Sequence, residues 1–326
     1  MVWGLACLPL GRAQNPSEPA APPPPRSAPS GGAQSSGGYA IQSSVNLVVL
    51  RVAVLDERGA FVPGLHEQDF RVLENKSEQK LSVFKQEDVP VSMGLVIDNS
   101  GSMRDKRPEV NAAALTFVKT SNPQDEAFVV NFNDDYYLDT VHDFTSDTQE
   151  LKDALERIDA RGSTALYDAV IGSLDHLKKG ARDKKVLLVI TDGMDDASRR
   201  TLANALEEAQ RSDALIYAVG LFSDEDLKHN RNEMKKARRD LVALADATGG
   251  LAFFPENVDD TEAICVQIAH DIRNQYTLGY YSTDSAEDGT YRSVQVQLHA
   301  PGNLGKLSVR TRSGYYARKP KPVSGN

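Results

Sequence analysis

From Val91 to about Gln275 the hydrophobic positions follow two alternating periods. Near-continuous apolar runs (VSMGLVI, EAFVVNF, KVLLVITDG, ALIYAVGLF and the short LAFFPEN) are separated by stretches whose apolar residues recur every three or four positions. The runs have the character of strands buried on both faces, and the intervening stretches that of amphipathic helices. Helices are predicted over PEVNAAALTFVKTS, TQELKDALERIDA, TALYDAVIGSLDHLKKG, TLANALEEAQRSD, RRDLVALADATGG and DDTEAICVQIAHDIRNQ. The third closes at Gly180 and the fifth at a Gly pair, where a chain leaves the helical conformation easily. YYLDTVHDF reads as a further, more alternating strand. Strands alternating with helices predict a doubly wound α/β domain with a mostly parallel sheet covered on both faces.

The flanks have a different rhythm. SVNLVVLRVAVLD and QDFRVLENKSEQKLSVFKQED precede the α/β region, and QYTLGYYS, YRSVQVQLHA and KLSVRTRSGYYA follow it, all with extended, period-2 character. Neither flank makes a comfortable domain alone, so the two are expected to combine into one small β-sandwich carrying the α/β domain as an insertion. Asn75-Lys76-Ser77 has the form of a glycosylation acceptor but reads as a turn. The charged stretch EDLKHNRNEMKKARRD reads as the solvated face of a helix. The expected organisation is a signal peptide over 1–13, a Pro/Ser/Gly-rich linker over 14–40, a β-rich flank over 41–90, the α/β domain over 91–275, a second β-rich flank over 276–318 and a tail over 319–326.

Composition narrows the function. The 326 residues carry a formal net charge of -9, which disfavours nucleic acid and anionic membrane surfaces as main partners. Val2 to Leu10 is apolar over a length typical of signal peptides and too short to span a bilayer, and Gly11-Arg12-Ala13 offers small residues where a signal peptidase reads. Export to the periplasm, cell envelope or medium is expected, with no membrane span. A basic segment ahead of the apolar run is missing, as in the tail of a longer signal. Lipid attachment at Cys7 is weakly supported, because Gly4 stands where an aliphatic residue is expected. Cys7 and Cys265 are the only cysteines, so removal of the leader would leave one thiol and no intramolecular disulfide. Cys265 falls on the apolar stripe of its helix and is expected to be buried and structural.

Candidate chemistry sits where two apolar runs stop. GLVI ends in Asp98, followed by Asn99-Ser100-Gly101-Ser102, and LLVIT ends in Asp192. Open α/β sheets bind ligands beyond the carboxyl ends of their strands, so the two carboxylates share one rim if their strands are neighbours. Between them in sequence, Gly162-Ser163-Thr164 places a further hydroxyl in a loop before a helix. Asp98, Ser100, Ser102, Thr164 and Asp192 are then five hard oxygen donors. Such a set, with neither His nor Cys, selects Mg²⁺, Mn²⁺ or Ca²⁺. Few protein ligands would leave room for an outside oxygen, naturally a partner's carboxylate. Each element also has an ordinary explanation. Ser and Asn after a strand make turns, Thr164 or Ser163 can cap the following helix, and Asp192-Gly193 can be a turn alone.

Taken together these residues resemble the metal-ion-dependent adhesion site of von Willebrand factor type A domains. Asp98-Asn99-Ser100-Gly101-Ser102 matches its first loop, Thr164 its second, and Asp192 within Thr191-Asp192-Gly193 its third. Residues 45 to 318 further resemble a bacterial exported family of VWFA-related proteins, through RVAVLDERGAFVPGLHEQDFRVLENKSEQ, DVPVSMGLVIDNSGSM, IRNQYTLGYYS and RTRSGYYARK. The resemblance implies a non-enzymatic, metal-dependent module for a protein partner presenting an acidic residue, with Asn99 outside the ligand set. Asp195-Asp196 has no role in the motif and reads as solvating its loop. One alternative is a structural component of a cell-envelope assembly, stabilised by the metal. Another is a phosphatase-type hydrolase with Asp98 as phosphoryl acceptor. Against the hydrolase, position 100 is Ser where an acid is required, and Lys184-Lys185 precede their strand. His66, His142, His176, His229, His270 and His299 also lie outside any catalytic motif.

Overall fold

The structure, a computed structural model, describes residues 47–120, 122–157, 160–222, 228, 230–284, 286, 288–299 and 305–317. The predicted leader, linker and tail, with Cys7, lie outside these residues.

Six strands build the central sheet: β5 (Val91–Asp98), β6 (Glu126–Phe132), β7 (Tyr136–Leu138), β8 (Lys184–Thr191), β9 (Ala214–Gly220) and β10 (Ala252–Phe253). Their order is β10-β9-β8-β5-β6-β7, parallel except for β7, which pairs antiparallel to β6. β5 lies at the centre with all eight residues buried, as a continuous apolar run requires. Alternate side chains feed two separate cores. Met93, Leu95 and Ile97 join Val186, Leu188 and Ile190 beneath α1 (Arg107–Lys119), α2 (Thr148–Leu155) and α6 (Thr261–Arg273). Val96, Phe128, Leu187 and Val189 pack on the other face against α3 (Leu166–Leu177), α4 (Leu202–Arg211) and α5 (Arg231–Thr248). This is the doubly wound α/β arrangement expected.

The remaining strands are β1 (Leu47–Leu55), β2 (Phe70–Glu74), β3 (Ser77–Gln79), β4 (Leu81–Lys85), β11 (Tyr276–Tyr281), β12 (Tyr291–Leu298), β13 (Ser308–Arg310) and β14 (Gly314–Tyr316). They form two four-stranded sheets, ordered β13-β1-β11-β4 and β14-β12-β2-β3. Each sheet mixes strands from before and after the α/β region. The sheets share one core of Leu50, Val52, Phe70, Val72, Tyr276, Leu278, Tyr280, Val294 and Val296. Glu74, only 2% exposed, ties the flanks together by accepting hydrogen bonds from Tyr280 Oη and Tyr315 Oη, each at 2.8 Å.

Two local expectations change, and two hold. The strand read over YYLDTVHDF is paired only at Tyr136–Leu138, and the chain touches β6 again at Thr145. α5 begins at Arg231, ahead of the predicted RRDLVALADATGG. Met234, Ala237 and Leu241 form its buried stripe, together with Asp240, which accepts from Tyr167 Oη at 2.7 Å, while the other charges between Arg231 and Arg239 face outward. Asn75 and Lys76 turn with φ of 46° and 69°, the positive pair that a two-residue hairpin needs, and Asn75 Oδ1 accepts from Ser293 N at 3.0 Å. Cys265 is fully buried in α6, as its periodicity indicated.

Candidate metal centre

β5 and β8 are neighbours in register, Ile97 opposite Ile190, so Asp98 and Asp192 leave the sheet together at its carboxyl edge. Asp98 is completely buried. Its Oδ1 accepts from Ser100 N at 2.8 Å and its Oδ2 from Thr191 Oγ1 at 2.5 Å. The chain then makes a short 3₁₀ turn over Gly101–Met103, which brings Ser100 Oγ to 3.2 Å from Ser102 Oγ. Ser102 Oγ in turn donates to Asp192 Oδ1 at 2.7 Å. Asp98, Ser100, Ser102 and Asp192 are thus linked by direct contacts.

Thr164 arrives on the second loop. Gly101 N donates to Gly162 O at 3.3 Å, and Arg161 N to Asn99 O at 3.1 Å, which fixes this loop to the first. A Cβ added at Gly193 would lie 3.1 Å from Thr164 Oγ1, so Gly193 is the close approach that seats Thr164 against the third loop. The capping alternative for Thr164 and Ser163 does not hold. The residue preceding α3 is Ala165, and no side chain caps the helix from that position. Tyr167 N instead donates to Asp195 Oδ1 at 3.1 Å, Asp168 N to Ser198 Oγ at 3.0 Å, and Thr164 N to Asp196 Oδ1 at 2.7 Å. Asp195 and Asp196 therefore do more than solvate their loop: Asp195 satisfies an amide in the first turn of α3, and Asp196 the amide of Thr164 in the loop before it.

Burial and the charge of Asp192 together push the Asp98 carboxyl up to about 6, against the opposing hydrogen bonds from Thr191 and Ser100. Two acids this close in a dry setting call for positive charge. Part of it comes from Lys106, whose Nζ lies 2.6 Å from Asp192 Oδ2 and 3.1 Å from Leu221 O. Arg107, fully buried, donates to the main-chain oxygen of Asp98 at 3.3 Å and to Asn131 Oδ1 and Leu155 O, both at 2.9 Å. Sequence reading assigned no role to Lys106, Arg107 or Thr191. The signal for the first two was two cations at the start of α1, the end of a helix that disfavours them.

The donor set fits a hard divalent cation. It is all oxygen, two members are carboxylates, and the Ser100, Ser102 and Asp192 oxygens already lie within contact distance of one another. Ser102 is exposed while Asp98, Ser100, Thr164 and Asp192 are buried, so the group opens to solvent on the Ser102 side. Among the described residues no group of three or more His, Cys, Asp or Glu side chains gathers as a metal cluster.

Residues 93–194 match the family profile of the von Willebrand factor type A domain. No curated protein matches the chain. Similar solved structures include the vWF domain of the type V pili tip protein Mfa5 from Porphyromonas gingivalis, at 15% identity over 57% of this chain and 95% of that one, TM-score 0.47. Von Willebrand factor type A from Catenulispora acidiphila shares 13% identity over 85% of this chain and 74% of its own, TM-score 0.48. The PilB minor pilin from Streptococcus sanguinis shares 13% identity over 58% of this chain and 62% of its own, TM-score 0.44.

Proposed function

We propose that this chain, which carries a von Willebrand factor type A domain, is an exported, divalent-metal-dependent protein-binding module of the periplasm, cell envelope or medium. The observation that carries the reading is the convergence of Asp98, Ser100, Ser102, Thr164 and Asp192 from three loops at one sheet edge. Asp98 and Asp192 would balance the ion's charge, and the three hydroxyls would orient it. A bound Mg²⁺, Mn²⁺ or Ca²⁺ would supply a Lewis-acidic position for a partner's carboxylate oxygen. The chain's own part is to hold the donors rigidly, through Thr191 and Ser100 N on Asp98 and through Asp196 on Thr164.

A binding role is favoured over hydrolysis by the state of Asp98. Both of its carboxylate oxygens already accept hydrogen bonds and none of its surface is exposed, so it is not presented as a nucleophile. Among the described residues no helix is long and apolar enough to cross a membrane.

Calorimetric titration of the metal-stripped chain with Mg²⁺ and Mn²⁺, beside an Asp98→Ala, Ser100→Ala double variant, tests the reading. Saturable binding in the parent and none in the folded variant is expected. Metal-loaded protein should then retain an acidic protein partner that EDTA releases. Equal retention in EDTA would overturn metal-dependent docking. A gain in melting temperature on metal addition without any metal-dependent partner would leave the ion a purely structural role.

A further inference from the structure

Lys106 breaks a local rule in a place where the fold has a use for it. It stands at the N-cap of α1, where the helix macrodipole is positive and a cation is disfavoured, and Arg107 follows it. Such conflicts between local preference and global structure concentrate at functional positions. The two cations differ in what they touch. Arg107 is sealed in the interior and spends its donors on Asn131 and on main-chain oxygens. Lys106 reaches a candidate ligand's carboxylate directly, its side chain is 21% exposed against 1% for Asp192, and its four-carbon stem can swing toward water.

Asp192 is fully engaged as it stands. Ser102 Oγ lies 2.7 Å from its Oδ1 and Lys106 Nζ lies 2.6 Å from its Oδ2. A divalent ion on that carboxylate would sit within a few ångströms of the ammonium, and like charges so close in a poorly solvated site repel strongly. Ion and ammonium are therefore competitors for one acid.

We infer that Lys106 is a resident counter-cation of this site, holding Asp192 in the metal-free protein and surrendering it when a divalent ion binds. The inference rests on the metal-binding reading above and adds a consequence to it. Metal affinity is set below what the five oxygens alone would provide, because binding must first break the Lys106–Asp192 pair. In return, the metal-free loops keep their arrangement, since Lys106 also donates to Leu221 O just beyond β9.

Two variants move the outcome in opposite directions. The metal-stripped full chain, Lys106→Met and Lys106→Arg would each be titrated with MgCl₂ by calorimetry and melted with and without the ion. Lys106→Met should bind Mg²⁺ about two- to fivefold more tightly, the factor that loss of one such ion pair corresponds to. It should also melt lower than the parent without the ion and gain more on its addition. Lys106→Arg, whose forked guanidinium grips a carboxylate at two points, should bind more weakly than the parent. A lysine that merely braces the loops predicts the reverse: weaker binding in the Met variant and near-parental binding in the Arg variant. That result would overturn the exchange. Should the Met variant not fold, Lys106→Gln carries the same expectation of tighter binding. If the folded parent binds no Mg²⁺, the metal reading itself falls, and the exchange with it. If the parent binds and all variants match it, only the exchange falls.

Discussion

Asp195 and Asp196 hold the second loop of the candidate site from the third, and removing either should be measurable. Asp196 grips both backbone groups of Thr164: its Oδ1 accepts from Thr164 N at 2.7 Å, and its own N–H donates to Thr164 O at 3.1 Å. Asp195 Oδ1 accepts from Tyr167 N in the first turn of α3 at 3.1 Å and also from Ser198 Oγ. Because α3 lacks a cap of its own, the Asp195 carboxylate serves as one, and capping losses amount to about 0.5–2 kcal/mol. Burial works against Asp195, since desolvation holds its carboxyl above the ordinary range, so Asp195→Ala belongs near the lower end, about 1 kcal/mol. Asp196→Ala leaves the Thr164 amide without its acceptor and should lose about 1–2 kcal/mol, as loss of a hydrogen bond to a charged group does. For a folded body of this size each kcal/mol shifts melting by about 2–4 °C. Asp196→Ala should also weaken Mg²⁺ binding about tenfold, the low end for an outer-shell partner, because Thr164 loses its anchor. Asp196→Asn keeps an acceptor and should recover most of both. Urea unfolding followed by far-UV circular dichroism, beside metal titration of the same samples, reads the two effects. An Asp196→Ala protein with parental stability and parental metal affinity would refute the idea that this brace places Thr164.

Three further outcomes follow from packing and charge. Gly94→Ala would push a Cβ to 2.5 Å from Phe128 Cζ and 2.6 Å from Leu187 Cδ1 at the centre of the sheet; a loss of about 1–3 kcal/mol in chemical unfolding is expected, and an unchanged midpoint would show that the core yields. Glu74→Ala strands Tyr280 Oη, Tyr315 Oη and the nearby Arg292 in the sandwich, which should cost about 3–5 kcal/mol; a loss under 1 kcal/mol would mean that water replaces the carboxylate. Lys184, buried and close to Arg51 and Arg273, is drawn down to about 7 from an ordinary 10.5, first by desolvation and then by those cations. Between those two pH values the unfolded chain binds the extra proton, so the parent should gain stability relative to Lys184→Met as pH rises from 7 toward 10.5. Melting both proteins at pH 7 and pH 9.5 checks this, and a pH-independent gap between them would exclude a displaced Lys184.

What could be read from the chain depended on whether a residue's role is set by its neighbours in sequence. Asp98 and Asp192 were legible because each ends an apolar run, and a run of that kind fixes where the sheet edge lies. The flanking sheets were legible in outline because neither flank offers enough strands to close a core alone. β7 was overcalled because alternation continues past Leu138 while its pairing to β6 stops there. α5 was undercalled at its start because Met234 and Ala237 are sparse apolar marks among charges, and only the packed face shows that they suffice. Lys106, Thr191, Asp195 and Asp196 were illegible for a different reason. Periodicity reports which face of an element is buried, whereas the partner of a short polar side chain is chosen by which loops meet. Lys106 and Asp192 are 86 positions apart, and Thr191 and Asp98 are 93 apart. Residue type alone does not distinguish Lys106 from the exposed Arg104, two residues earlier in the same charged stretch. The one local sign was negative: a cation placed where a helix start disfavours it has to be satisfied by something distant. Here that something is a carboxylate already counted as a candidate ligand, so the least legible residue of the site is also the one best placed to regulate it.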